Sequence, residues 1–455
     1  MNLINGQRFL KEKKFNKALD VFVNLEKNNY SDDRIYFYLG IIYFELNHFD
    51  KSIYYYNKFL SKNPTSSSTL LNLAIVKQTM GDLESAREIY LKLINQNKQN
   101  VRAYYGLYLL DVKNFEQKNF EILLNIKKSK KLNLYDLAII DFLLSKREKK
   151  QNKIKNEIEY LNRFHKNIFN SNLDYNNSSQ FYYEKIINKN FNKINIINKN
   201  NNPLKTINIA PIFIIGLPRS GSTVIESILT SSKEKISTYG ECHVFNMSIF
   251  DQISTEIYSN NFDPSKFNFE IDLKKINTAI IEKYSQYIPF ENIKANKFID
   301  KSLENFFNVE IIYKNFPKAK FLHTYRNPLD SVISIYQSML PDLSWAHSIE
   351  HILSYLDSYN HVINYFKAKY PDIILDVNLE DLTKDSVKIS KKIFNFCELT
   401  WDDEILNFYK RKDLFSKTLS FTQIRSKVKK YDLEKYRPYY NLLNKFKHKY
   451  KWLQN

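Results

Sequence analysis

Apolar residues return every three or four positions through the first third of the chain, a period that predicts amphipathic helices. The pattern also repeats at longer range. Gly6, Gly40 and Ala74 stand 34 residues apart, as do Phe15, Phe49 and Leu83; Ala18, Ser52 and Ala86; Phe22, Tyr56 and Tyr90; and Leu25, Phe59 and Leu93. The small residues let two antiparallel helices approach, and the aromatic ones fill the gap to the next pair. Lys14-Phe15, Asn47-His-Phe49 and Gly81-Asp-Leu83 mark the turns, and Pro64 closes the second unit. A fourth unit begins at Val101 with Tyr104 and Leu107 in phase, then loses its small positions, which predicts a degenerate or capping repeat. Helical periodicity continues from Leu134 to about Phe169 through Leu137, Ile140, Leu144, Ile154, Ile158 and Leu161. From Asn170 to Asn202 the chain turns to Asn, Lys and Ser, with a short helix predicted around Gln180–Asn188 and a linker near Asn190–Thr206.

The second half changes rhythm. Ile212–Ile215 is a short β-branched run suited to a strand buried on both faces. Gly216 and Gly221 bracket a turn stiffened by Pro218, and Val224, Ile225, Ile228 and Leu229 then follow at helical spacing. Lys297–Lys301, a short stretch ending in a lysine, and Phe321–Tyr325 read as further strands. After the second of these, Asn327 is a good N-cap and Pro328 a good first helical residue. The run Pro371–Leu382 is another strand running into a helix cap. Strands alternating with helices predict an α/β domain with a mostly parallel sheet, whose ligand lies at the carboxyl ends of the strands.

Composition narrows the partners only a little. The 455 residues suffice for two or three domains with real cores. The net charge of +19 favours anionic partners, but the lysines are scattered and form no clustered nucleic-acid motif. Cys242 and Cys397 are the only cysteines, so neither a disulfide framework nor a metal-spaced cluster is expected. The first residues lack the apolar core of a signal peptide, and no apolar run reaches the ~20 residues of a membrane helix. A cytoplasmic location is the expectation, with no transmembrane segment and no nucleic-acid partner.

Two stretches carry chemistry. A glycine loop between a buried strand and a helix N-terminus turns backbone N–H groups towards an anion. Gly216, Gly221 and Thr223 fit the spacing of a nucleotide-binding P-loop, but Ser222 stands at the lysine position and Arg219 is new within the loop. The second stretch, Tyr325-Arg326-Asn327-Pro328, puts Arg326 at another helix N-terminus, with Asp330 and Ser334 four residues apart on one helical face.

Pro218-Arg-Ser-Gly-Ser-Thr223 resembles the 5′-phosphosulfate loop of sulfotransferases that use 3′-phosphoadenosine 5′-phosphosulfate (PAPS). The resemblance is closest to protein-tyrosine sulfotransferases and to bacterial sulfotransferases with N-terminal tetratricopeptide (TPR) repeats, and 34 residues is the TPR period. It implies that Arg219, Ser220, Gly221, Ser222 and Thr223 bind the phosphosulfate. Arg326 and Ser334 would hold the 3′-phosphate, and Lys301, in Lys297-Phe-Ile-Asp-Lys301, would approach the bridging oxygen. Glu241, in Gly240-Glu241-Cys242-His243, matches the first glutamate of a family motif that supplies the base. The tyrosine sulfotransferases use a second glutamate where this chain has Cys242, and His243 is a rival base. Near the C-terminus, Ser420–Arg425 resembles the start of the loop that covers the nucleotide. The part that follows is short, with Ser426 and Lys427 as possible substitutes.

The expected architecture is therefore a TPR α-solenoid over 1–134, a helical connector and linker over 135–206, and a P-loop-like α/β sulfotransferase domain over 207–455. The expected activity is transfer of a sulfuryl group from PAPS, without a metal, to the hydroxyl of a peptide tyrosine, a glycan or a small alcohol. The TPR surface would take a peptide or serve as scaffold, and the oligomeric state is left open. The alternatives are a TPR interaction protein with an inactive nucleotide-binding domain and a P-loop-type nucleotide kinase.

Overall fold

The computed structural model describes residues 2–453 except 130–131, 198–208, 260–261, 265–266, 268, 289–295, 412 and 419–420. Most of the expected linker near Asn190–Thr206 thus lies outside the described residues, as does Ser420. The chain forms two compact units: Met1–Arg147 with Arg411–Gln423, and Glu148–Lys410 with Ile424–Asn455.

In the first unit the repeat pattern becomes helical hairpins. These are α1 (Leu3–Lys11) with α2 (Phe15–Lys27), α3 (Arg34–Glu45) with α4 (Phe49–Lys62), and α5 (Ser67–Met80) with α6 (Leu83–Gln96); α7 (Val101–Leu110), packed on α6, and α8 (Gln117–Ser129) follow. Ala18, Ser52 and Ala86 are fully buried, and so are Phe22, Tyr56 and Tyr90 to within 2%. The small positions are required by contact. A Cβ on Gly6 would stand 2.7 Å from the Phe22 ring, and one on Gly40 would stand 2.4 Å from Tyr56. Ser52 adds a hydrogen bond from its Oγ to the Gly40 carbonyl, 2.7 Å long. In α7 the small residue is Gly106, two positions short of where the period puts it, and it packs against the Tyr90 ring of α6. The helix α9 (Leu134–Lys150) follows, and the division between the units falls within it.

A late segment of the chain belongs to this unit. Phe415 sets its ring edge-on against Phe49 at 5.0 Å. The Ser416 N–H donates to the Thr79 carbonyl at 3.2 Å, and Lys417 Nζ donates to the Glu45 carbonyl at 3.0 Å. None of these three contacts is visible in the repeat pattern.

The second unit is built on a five-stranded sheet. Its strands are β2 (Ile212–Gly216), β3 (Ser237–Thr238), β5 (Phe298–Asp300), β6 (Lys320–Tyr325) and β7 (Ile374–Asn378), in the order β3-β5-β2-β6-β7. Every pairing in it is parallel. A separate parallel pair joins β1 (Asn195–Ile197) and β4 (Glu270–Asp272). All five residues of β2 are buried, as its unbroken apolar run requires of a strand covered on both faces. Phe213 stacks on Phe321 at 5.4 Å and meets Phe245 and Phe298 edge-on. The helix Ser222–Thr230 then seats Ile225, Ile228 and Leu229 in the core. Among the described residues no helix is long and apolar enough to cross a membrane.

Substituting Gly40→Ala should destabilise the protein by about 1–3 kcal/mol, because a buried Tyr56 ring has nowhere to move. The check is a thermal or urea melt followed by helical circular dichroism. An unchanged midpoint would show that the hairpin contact is looser than described.

Candidate functional site

Four neighbouring strands each end in a candidate residue. Beyond β3 come Gly240 and Glu241; beyond β5, Lys301; beyond β2, the loop Gly216–Gly221; and beyond β6, Arg326. Parallel pairing puts all four ends on one edge of the sheet, and three strand spacings make the row about 14 Å long.

The loop after β2 depends on its glycines. Gly216 has φ 140°, and a Cβ there would lie 2.2 Å from the Thr324 carbonyl oxygen, so only glycine lets β2 and β6 close up. Ser220 Oγ donates to the Leu217 carbonyl at 2.6 Å and lies 2.7 Å from Thr324 Oγ1, so this hydroxyl braces the loop from within. Ser222 and Thr223 open the helix, which has Gly221 as N-cap and no side-chain cap. Arg219 adopts the left-handed conformation with φ 69°, a position that costs a non-glycine residue about 1–3 kcal/mol. Its Nε is shut off from water and has no hydrogen-bond partner. Burial lowers its pKa, and Arg326 lowers it further.

Arg326 is 7% exposed. One of its terminal nitrogens donates to the Asp330 carbonyl at 3.0 Å, while its Nε is buried without a partner. Asn327 caps the next helix, Pro328–Tyr336, by accepting from the N–H groups of Leu329 and Asp330, with Pro328 in the first turn. The helix presents Asp330 and Ser334 to the C-terminal segment. Tyr431 and Tyr440 each donate to the Asp330 carboxylate at 2.6 Å, and Tyr436 donates to Ser334 Oγ at 3.1 Å. Sequence reasoning looked for this cover in Ser426 and Lys427 and missed the three tyrosines. Their spacing along the segment was the available signal.

At the other end of the row, Lys301 is 1% exposed, so it is no surface lysine. Its Nζ donates to Glu241 Oε1 at 2.8 Å and lies 3.5 Å from Glu226 Oε2. Burial works against its charge, but Glu226 and Glu241 outweigh it and raise the pKa. Glu226 was not singled out from the sequence. It stands one helical turn beyond Ser222 on the loop helix and is held by a 2.6 Å hydrogen bond from Thr238.

The residues after Gly240 point in different directions. Glu241 remains 41% exposed. Cys242 turns inward, where its thiol donates to Asp300 Oδ2 at 3.2 Å, and burial and the neighbouring Asp300 raise its pKa well above normal. It stays a neutral thiol, in a place where a second carboxylate would face Asp300. His243 bonds through Nδ1 to Glu304 at 3.0 Å. Burial alone would lower its pKa, but Glu304, with help from Glu241 and Asp300, raises it to about 9. At neutral pH this ring already carries its proton and is a poor base.

Comparisons with known proteins give the following similarities. Residues 211–403 match the model of the sulfotransferase family, and residues 33–66 match the tetratricopeptide repeat. An uncharacterized protein of Aquifex aeolicus is 28% identical over 236 residues, which is 50% of this chain and 30% of that relative, so the chain spans about a third of its length. The sulfotransferase domain of the Synechococcus PCC 7002 olefin synthase aligns with a TM-score of 0.37 at 20% identity, covering 52% of this chain and 91% of that one. A Mycobacterium tuberculosis sulfotransferase aligns with a TM-score of 0.31 at 14% identity, covering 75% of this chain and 97% of that one.

His243 gives the site a pH signature. Because its folded pKa of about 9 exceeds its unfolded value of 6.5, its stabilising contribution is complete below about pH 6.5 and is lost as pH rises through about 9. Denaturant unfolding of the wild type and His243→Gln should show a stability gap at about pH 6 that has closed by about pH 10. A gap that stays constant with pH would mean that the pair with Glu304 contributes nothing through charge.

Proposed function

We propose that this chain, whose residues 211–403 match the sulfotransferase family, transfers a sulfuryl group from PAPS to an acceptor hydroxyl. The observation that carries the proposal is the pair of guanidinium groups, Arg219 and Arg326. Each stands at the carboxyl end of its own parallel strand, and each has a buried, unpartnered Nε. Two neighbouring buried cations with orphaned donors are unfavourable unless an anion joins them, because a buried donor without a partner costs about 1–3 kcal/mol. A nucleotide with phosphate at both ends fits them. The loop glycines leave backbone N–H groups free to approach one end, and Arg326 with Ser334 serves the other.

When bound, PAPS would supply the sulfuryl group and a phosphate leaving group. The chain's own residues then divide the work. Arg219 and the loop N–H groups hold charge on the phosphosulfate end, and catalysis is mainly positioning and electrostatic stabilisation. Glu241, the exposed carboxylate of the row, takes the proton of the acceptor hydroxyl. Lys301 lies beside it, between Glu226 and Glu241. When Glu241 becomes neutral on protonation, Glu226 still balances the buried ammonium, which is then free to turn its hydrogen bond towards the leaving oxygen. Proposed acceptors are a peptide tyrosine, a glycan or a small alcohol.

The test is a thermal-shift titration with 3′,5′-ADP against 5′-ADP and against ATP with magnesium. A shift with 3′,5′-ADP is expected. Arg219→Ala and Arg326→Ala should each weaken that binding about 10- to 100-fold, the range for a lost hydrogen bond to a charged group. Glu241→Gln should keep the binding and lower transfer from labelled PAPS about 10²- to 10⁴-fold. A shift with magnesium and ATP but none with 3′,5′-ADP would sink the proposal.

A further inference from the structure

The resemblance to known sulfotransferases assigns no role to the C-terminal tyrosines, yet one of them sits on the second anion motif. Tyr436 is 6% exposed. Its ring covers the Arg326 guanidinium at 5.2 Å, and its hydroxyl donates to Ser334 Oγ at 3.1 Å. Tyr431 and Tyr440 flank it, and their two bonds to the Asp330 carboxylate fix the segment on which Tyr436 stands. A fourth tie, from the Tyr439 hydroxyl to Glu157 at 2.6 Å, holds the far side. The phenol is therefore a placed group in a braced segment, not a loose cover.

We propose that Tyr436 is a phosphate-sensing ligand of this site: the hydroxyl that here donates to Ser334 turns its hydrogen to a phosphate oxygen on binding, so that affinity depends on the phosphate at this end of the nucleotide. The inference rests on the function proposed above and deepens it. Tyr and Ser hydroxyls are rotors that can donate and accept, so the exchange needs no movement of the chain. Ser334 Oγ, released from accepting, can donate to the same anion. Arg326, whose guanidinium lies under the ring, adds its positive charge beside these two hydroxyls. The arrangement puts two hydroxyl donors and one buried cation beside one anion. It also uses a tyrosine where this chain's counterpart of the families' covering loop is short.

The electrostatics supply an internal probe. Burial would raise the pKa of this phenol, but Arg326, Lys435 and its hydrogen-bonding neighbours bring it down to about 8. The groups that act on it or feel it are Arg326 and Ser334 from the motif, Lys435 from its own segment, Arg219 from the loop and Lys149 from α9. An added phosphate reverses the balance and favours the neutral phenol.

The experiment uses the full chain. Calorimetry measures binding of 3′,5′-ADP and 5′-ADP to the wild type and to Tyr436→Phe, and ultraviolet absorbance follows tyrosinate formation in the wild type. Tyr436→Phe should weaken 3′,5′-ADP about tenfold and leave 5′-ADP unchanged. In the wild type, one tyrosine should ionise near pH 8 and cease to do so with 3′,5′-ADP present. Equal 3′,5′-ADP affinity in wild type and variant overturns this inference and spares the proposed function. Failure of the wild type to bind 3′,5′-ADP overturns both. If the variant misfolds, the wild-type titration decides, and a step near pH 8 that is absent or indifferent to the ligand overturns the inference.

Discussion

In the five-stranded sheet β2 lies between β5 and β6, with Gly216 opposite Thr324 and Phe213 opposite Asp300. Parallel pairing forces every strand to end on the same edge, and this register sets which loops are neighbours there. The closeness of β2 to β6 is bought by the missing side chain at Gly216, since a Cβ would meet the Thr324 oxygen at 2.2 Å. Ser220 then bonds across to Thr324, so the loop after β2 is tied to the strand that leads into Arg326. The two guanidinium groups come together because these backbones do.

The edge so formed is a row of charges managed in two ways. At one end Lys301 is matched by two carboxylates, one half-exposed and one nearly buried, with pairs of 2.8 and 3.5 Å. At the other end Arg219 and Arg326 have no carboxylate partner among the described residues, and each has a buried nitrogen with no acceptor. Tyrosine hydroxyls from the C-terminal segment occupy that end and add no formal charge. The asymmetry sets two buried cations without carboxylate partners, among the described residues, apart from an ammonium balanced by two carboxylates. The net charge of +19 has little to do with this, because a few buried groups in fixed places set the local field.

The repeat unit illustrates a different economy. The first two hairpins close where a glycine faces an aromatic ring, as Gly40 faces Tyr56. The same surface logic accepts the Arg411–Gln423 segment of the same chain through Phe415, Ser416 and Lys417. Part of what the repeats hold is thus already present in the chain.

What the sequence by itself determined is local. The 34-residue period, the buried run of β2, the glycine loop, and the cap of Asn327 with Pro328 all depend on residues within one turn or one hairpin, so they could be read directly. The candidate residues Arg219, Arg326 and Ser334 were legible because each sits next to such a signal, whereas Lys301 and Glu241 were picked out only through the resemblance to sulfotransferases. Only the tertiary structure decided which charges meet. Glu226 reaches Lys301 across 75 positions, and Tyr436 reaches Ser334 across 102. It also decided that Cys242 faces Asp300 while Glu241 beside it faces outward, a choice set by how β3 pairs with β5. Pairings of this kind depend on strand order and on the path of a late segment. Neither leaves a periodic trace in the sequence, because the energy that fixes them comes from packing between elements and not from within one.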